Sequence, residues 1–301
     1  MSRSFMQLSP NLYLVGGNKQ GCFPLSNALF IMGSKKALVD TGFSSSIALD
    51  ISQNHIIDVV INTHFHFDHV YHNKLFSKAE IWAHELDTPA IESKEKFLSY
   101  VGFDGPGELP IEKYFPLGIQ ENKVTRKLSD REVLDFGSFV FTVIHTPGHS
   151  PGHIVLYEQN LGLLFAADIN LHPFGPWYGY ISSNLEDFYD SVDKIISLHP
   201  KILITGHEDP HLGNHGIFTK RIEENLIAYR DKIIKREERI WDKLKKPHSL
   251  ERLVEYNLVY RSYPQPEMLY RFYEKVMIKK HLEHLLKHQE IVVRENGLFC
   301  R

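Results

Sequence analysis

Cysteine is nearly absent. Cys22 and Cys300 are the only two in 301 residues and sit near opposite ends. Two distant thiols make no disulfide framework, which suits a reducing cytoplasm and leaves both side chains inert. Long apolar runs are missing too. No stretch approaches the ~18–20 residues of a membrane helix, so no membrane association is expected. The opening segment, MSRSFMQLSPNLYLVGG, has no apolar core and no small-residue cleavage site, so no secretory signal is expected. Net charge is only −3, which by itself selects no partner. Internal repeats and low-complexity segments are also lacking. With 43% hydrophobic and 24% charged residues, disorder and collagen-like fibres are excluded. One residue type is plentiful: there are 18 histidines.

The length allows one large domain, or one large and one small. Charge divides the chain. Residues 220–301 hold 19 Lys+Arg against 13 Asp+Glu, a net of +6, whereas residues 1–219 hold 15 against 24, a net of −9. Gly and Pro thin out after Gly216, so a boundary is placed at 219. In residues 1–219, short β-rich runs occur at 12–15, 28–32, 37–40, 59–63, 81–83, 139–145, 154–157, 163–166 and 202–205, bounded by Gly, Pro, Asn and Ser. Ser183-Asn-Leu-Glu186 reads as a capping box opening a helix whose apolar positions Leu185, Phe188, Val192, Ile195 and Ile196 fall at 3–4 spacing. Strands and helices in alternation predict an α/β layered fold. In residues 220–301, the stripe Ile222, Leu226, Tyr229, Ile233, Ile240, Leu244 predicts a long amphipathic helix. Two more helices follow, then a hairpin turning at Asn296-Gly297, together a small winged-helix-like unit.

Residues 59–69 read VVINTHFHFDH. In an extended chain, residues two apart point the same way, so His64 and His66 can share one ion. A turn at Phe67 would send Asp68 and His69 toward a second. Imidazole and carboxylate together suit Zn²⁺ or Fe²⁺ better than Ca²⁺ or Mg²⁺. Three more ligand-type residues follow strand ends: His149 in HTPGHSPGH, Asp168, and His207 in Thr-Gly-His. In α/β proteins, loops at strand ends carry the sites.

HxHxDH, TPGH, a later strand-end Asp and a final GH, with Leu38-Val-Asp-Thr-Gly42 upstream, resemble the metallo-β-lactamase superfamily over about residues 10–215. The resemblance implies an αββα sandwich, here with a small C-terminal helical or winged-helix domain. It implies that His64, His66 and His149 hold a first metal and that Asp68, His69 and His207 hold a second. Asp168 would bridge the two, and Asp40 would fix a ligand histidine through a hydrogen bond. Asp68 and Asp168 are thereby the carboxylates placed at the chemistry. Two divalent ions are expected, Zn²⁺ first, with Fe²⁺ or Mn²⁺ accepting the same donors. A glycine usual before the bridging aspartate is Ala167 here, and one frequent after the last histidine is Glu208. Neither change removes a ligand. His69 together with Asp168, and no expected signal peptide, argue against an antibiotic-degrading β-lactamase.

The expected reaction is hydrolysis of a thioester, ester or lactone by a metal-bridging hydroxide, since a bound metal brings water from a pKa of ~15.7 to roughly 7. In the tail, Ile227-Ala-Tyr-Arg230 with Arg236-Glu-Glu-Arg239, then a helix ending His281-Leu-Glu-His-Leu-Leu286 and a hairpin, resemble the lactamase-like subgroup with a C-terminal winged helix, some of which cleave single-stranded RNA while others have no assigned substrate. The alternative is therefore a metal-dependent endoribonuclease, with the +6 tail as RNA anchor. The third option is that the tail dimerises the protein or covers the pocket. His172, Trp177, Tyr178 and Tyr180 follow Asp168 in HPFGPWYGY, a loop that could line a substrate pocket, with His172, Trp177 and Tyr178 the first candidates. His72, His145 and His153 read as supporting or exposed residues. His281, His284 and His288 read as one helix face and not as a metal site. Residues 85–127 read as a surface insertion or lid.

Overall fold

The computed structural model describes residues 5–16, 21–103, 119–207, 209, 211, 214–295 and 297–301. Two sheets stack face to face. The first holds β1 (Phe5–Ser9), β2 (Leu12–Val15), β3 (Ala28–Met32), β4 (Lys36–Val39), β5 (Val59–Asn62), β6 (Glu80–His84) and β7 (Arg126–Leu128), in that order. It is antiparallel up to β4 and parallel from β4 to β7. The second runs β13 (Ile217–Phe218), β12 (Ile202–Ile204), β11 (Leu163–Phe165), β10 (Ile154–Glu158), β9 (Val140–His145), β8 (Val133–Asp135), with β11 and β12 parallel.

Side-chain alternation along each strand explains the layers. In β5, Val59 and Ile61 enter the apolar cluster between the sheets, while Val60 faces outward. In β11, Leu163 and Phe165 enter that same cluster and Leu164 faces the other way. Both faces of these strands are therefore apolar and both need cover. Helix α1 (Ser45–Asn54) covers the first sheet with Ile47, Ala48 and Ile51. Helix α5 (Leu185–Ile196) covers the second with Leu185, Phe188, Val192 and Ile195. Each of those α5 side chains contributes about 1.5–3 kcal/mol by leaving water. The result is the expected αββα sandwich.

Three short helices, α2 (Phe67–Val70) and the paired α3 (Thr88–Glu92) and α4 (Lys94–Val101), lie near the strand ends. The tail supplies α6 (Ile222–Lys243), α7 (Leu250–Val254), α8 (Glu267–Lys287) and an antiparallel pair, β14 (Val292–Val293) with β15 (Phe299–Cys300). The whole predicted stripe of α6 is buried, and it joins one continuous apolar cluster with α5 and the second sheet. Arg236 lies on the same face and is also buried, which the apolar pattern did not anticipate. No helix among the described residues is long and apolar enough to cross a membrane.

Several local expectations are revised. The α5 cap is Asn184, whose side chain accepts from the Asp187 amide at 3.1 Å; Ser183 instead donates to the His149 carbonyl at 2.9 Å. Strands β1, β7, β8 and β13 fall outside the predicted β-rich runs. β7 and β8 are three-residue edge strands with mostly exposed side chains, so they carry little apolar pattern. The segment 85–127 is more than a surface insertion. Ile91, Phe97 and Val101 pack with Phe65, Phe67 and Tyr180, and residues 126–128 belong to the first sheet. Its residues 104–118 lie outside the described ones.

Gly42 shows how tightly the strand ends converge. A Cβ there would stand 1.4 Å from the backbone oxygen of Asp68. Gly42→Ala should therefore push the β4 loop off the 64–69 loop and cost about 1–3 kcal/mol. A urea melt with an unshifted midpoint would show that the two loops are not in fixed contact.

Candidate metal centre

Five strand ends meet at one edge of the sandwich. β5 runs into a bend at Thr63, His64 and Phe65, His66 returns to extended backbone, and α2 then turns Asp68 and His69 the other way. The turn between β9 and β10 brings His149, the end of β11 brings Asp168, and the end of β12 brings His207. Two groups result. His64, His66, His149 and Asp168 offer ligand-type atoms all within 4.8 Å of one another, and Asp68, His69 and His207 do the same. Asp168 stands between them: its Oδ2 is 3.2 Å from His149 Nε2 and its Oδ1 is 3.0 Å from His69 Nε2. All seven sequence-predicted ligand residues are thus brought together.

The surrounding acceptors fix the histidine tautomers. His149 Nδ1 is 2.9 Å from the Trp177 carbonyl. His207 Nδ1 is 3.0 Å from the Leu25 carbonyl. His69 Nδ1 is 2.7 Å from Asp40 Oδ2. Carbonyls and carboxylates only accept, so each Nδ1 carries the proton and each neutral ring presents a bare Nε2 inward. Those bare atoms face other acceptors. His69 Nε2 is 3.3 Å from His207 Nε2, and His207 Nε2 is 3.2 Å from Asp68 Oδ2. His149 Nε2 is 3.2 Å from Asp168 Oδ2, and the Nε2 atoms of His64 and His66 are buried with no hydrogen-bond partner among the described residues. Lone pairs at these distances repel unless a proton or a cation lies between them. The donor set fits two imidazole- and carboxylate-binding cations.

The titration behaviour of the cation-free protein agrees. Burial holds His64 and His66 well below the usual imidazole range. Burial also opposes charge on His69, yet the Asp168 and Asp40 carboxylates overcome it and raise its pKa to about 10. His207 is likewise raised, against burial, by Asp168 and Asp68. Asp168 is held well below the carboxylate range, against burial, by His207, His69 and His149. Protons fill the places that cations would take.

Asp40 holds more than His69. Its Oδ1 accepts from the Thr63 amide at 2.8 Å and its Oδ2 from the Thr63 hydroxyl at 2.8 Å, besides His69. Asp87, which no motif pointed to, is fully buried and joins the two histidine loops. Its carboxylate accepts from the Phe65 amide at 3.0 Å, from Ser150 Oγ at 2.6 Å and from the Gly152 amide at 2.6 Å. Burial raises its pKa to about 6 against those three bonds. His153 Nε2 accepts from the Asp168 amide at 3.3 Å. Burial depresses its pKa to about 3, so the ring is neutral, as that contact requires. His72 and His145 bond to the Thr41 and Pro151 carbonyls and only brace loops.

The pocket candidates separate. Trp177 borders the centre, its ring 5.7 Å from His149 and 6.1 Å from His66. Tyr178 does not. Its hydroxyl bonds to His281 at 2.8 Å and Arg236 at 3.1 Å, so the side chain belongs to the tail interface and not to a substrate pocket. Neighbours in sequence alternate sides here. His172 is exposed on the following loop, with Nδ1 accepting from the Phe174 amide. Tyr180, on the same aromatic loop, lies with its ring 4.8 Å from that of His66. The tail fastens this loop. Arg236 donates to the Pro176 carbonyl at 2.5 Å and the Phe174 carbonyl at 2.6 Å, within the residues leading to Trp177, and Tyr229 donates to the Asp168 carbonyl at 3.2 Å.

Comparison with known proteins agrees with this geometry. The family model described as the metallo-beta-lactamase superfamily matches residues 23–207. A Bacillus subtilis (strain 168) protein described as probable metallo-hydrolase YqjP is 24% identical over 226 residues, covering 64% of this chain and 70% of that one. The human acyl-coenzyme A thioesterase MBLAC2 is 23% identical over 213 residues, covering 68% and 74%. Among solved structures, the metallo-beta-lactamase family protein TTHA1429 from Thermus thermophilus shares the fold with a TM-score of 0.76 at 21% identity, covering 98% of this chain and all of that one.

Two outcomes are expected. Cations must displace protons from His69 and His207, both held above the usual imidazole range, so metal affinity should rise with pH until the rings lose their protons, about pH 10 for His69, by up to ~10-fold per unit for each proton released. Calorimetric titration in buffers of different ionisation enthalpy counts those protons; a release of none would show both rings already neutral. Arg236→Met should cost about 3 kcal/mol by orphaning buried carbonyls, and weaken metal binding ~10-fold through His149. Unchanged metal affinity in a folded variant would detach the tail from the centre.

Proposed function

The chain belongs to the metallo-β-lactamase superfamily, and from that premise we propose a dinuclear metal-dependent hydrolase that cleaves a thioester, ester or lactone. His64, His66 and His149 would hold one cation, Asp68, His69 and His207 the other, with Asp168 shared. When bound, such ions supply a water activated near neutral pH and a Lewis acid for the electrophile. Zn²⁺ suits these donors, and Fe²⁺ or Mn²⁺ would be accepted as well. The single observation that carries the reading is Asp168, one oxygen turned to each histidine group.

The chain's own residues shape the rest. Asp40 and the Trp177 carbonyl keep their histidines facing inward as Nε2 donors. Aromatic rings edge the centre: Trp177 and Tyr180 beside His66, and Phe23 at 6.4 Å from His207 and 5.9 Å from Phe67. Such a rim excludes water and favours an acyl group over a phosphate. The relative named as an acyl-coenzyme A thioesterase supports the same class of substrate. Several basic residues of the tail are engaged internally, which argues for the acyl substrate over RNA. Arg236 is buried, Arg239 donates to the Leu258 carbonyl, Arg230 pairs with Asp193 and Asp231, and Lys280 donates to the Ser183 carbonyl.

The test is metal content per chain followed by a hydrolysis panel of acyl thioesters, esters, lactones and single-stranded RNA. Turnover of an acyl substrate, abolished by chelation and restored by Zn²⁺, is expected. His66→Ala and Asp168→Ala should lose metal and at least ~10²–10³ in rate, the scale of losing one preorganised electrostatic stabiliser. Cleavage of RNA with no acyl turnover would select the nuclease, and full activity in either variant would refute the ligand assignment.

A further inference from the structure

We propose that Glu186, His284 and His288 form a peripheral transition-metal site, separate from the catalytic centre, that clamps α8 to α5 with a Zn²⁺-like cation.

From the sequence alone, His284 and His288 are one turn apart on a helix with no further ligand in view. The fold supplies that ligand. Glu186 lies in the first turn of α5, and the last turn of α8 crosses beside it. One ligand-type atom from each of the three residues lies within 4.8 Å of the others. His284 Nε2 is 3.9 Å from Glu186 Oε1, and His288 Nε2 is 3.7 Å from the same oxygen. These are too long for hydrogen bonds. They are within a few tenths of an ångström of the ~3.3–3.5 Å that separates two ligands of a tetrahedral Zn²⁺, given metal–ligand bonds of ~2.0–2.2 Å. The two rings already stand together, centroids 4.5 Å apart.

The orientation of His284 is set from behind. Its Nδ1 lies 2.8 Å from Glu237 Oε2, so it donates there and leaves Nε2 bare toward Glu186. This is the carboxylate–histidine arrangement that holds metal ligands in place. Glu237 is itself anchored, because the same oxygen accepts from Nδ1 of the buried His281 at 3.1 Å, whose Nε2 meets Tyr178. The site is partly open, with side-chain exposures of 24% for His284, 35% for Glu186 and 50% for His288, so a cation and its remaining water can enter. One cation competes for the carboxylate: Lys287 Nζ lies 2.5 Å from Glu186 Oε2.

The clamp would reinforce a junction that α8 already makes with the loop before α5, through Lys280 and the Ile181 and Ser183 carbonyls. Further along α8, Tyr273 packs against Tyr180 independently of these residues.

The full chain, stripped with chelator, is titrated with Zn²⁺ by calorimetry beside His288→Ala, an exposed change that should not impair folding. Wild type is expected to take up one equivalent more than His288→Ala, and His284→Ala to show the same loss, with acyl hydrolysis unchanged in His288→Ala. Lys287→Ala, by freeing Glu186, should tighten that additional equivalent several-fold. Equal stoichiometry and affinity in wild type and His288→Ala would overturn the proposal, as would weaker binding in Lys287→Ala.

Discussion

At one edge of the sandwich, imidazole nitrogens and carboxylate oxygens are pressed together at 3.0–3.4 Å, acceptor atoms facing inward. That arrangement costs energy in the absence of positive charge, since both desolvation and repulsion oppose it. The fold supplies the restraint from outside. The inward Nε2 atoms of His69, His149 and His207 are each paired with an outward Nδ1–H held by an acceptor on a neighbouring loop or strand end. The side chains are therefore held in place from outside, before any cation would bind.

The restraint extends well beyond the ligands. Asp40 ties the β4 end to Thr63 and His69, and Asp87 ties the 64–69 loop to the 146–153 turn. Both are buried carboxylates whose bonds go to backbone amides and side chains of the ligand-bearing loops. Tyr229 and Arg236 carry the restraint into the tail, gripping the carbonyl of Asp168 and the loop around Trp177. The tail thus acts as a brace on the ligand loops, sharing one apolar cluster with the second sheet.

Much of this was legible from the residues. His64-x-His66 after a β-rich run could present its rings on one side, and the break at Phe67 could send Asp68 and His69 to another. Strands β2 to β6 and β9 to β12 followed from β-rich runs bounded by turn formers, and the stripe on α6 followed from 3–4 spacing. The misses have physical causes. β7 and β8 are too short and too exposed to show periodicity. Ser183 carries the right chemistry for a cap, but the His149 carbonyl competed for its hydroxyl. Tyr178 and Trp177 are adjacent, and nothing local says which of two neighbouring rings faces the centre.

Residue order alone shows which side chains have the chemistry of ligands and which loops carry them, because donor chemistry and strand-end spacing are local properties. Three-dimensional packing settles the rest: that Asp168 stands between two groups, that Asp87 and Arg236 hold the loops in place, and that Glu186 meets His284 and His288. Those partners are separated by tens of positions or more along the chain. Their meeting depends on how two twisted sheets and their covering helices pack, and no spacing rule along the chain encodes that.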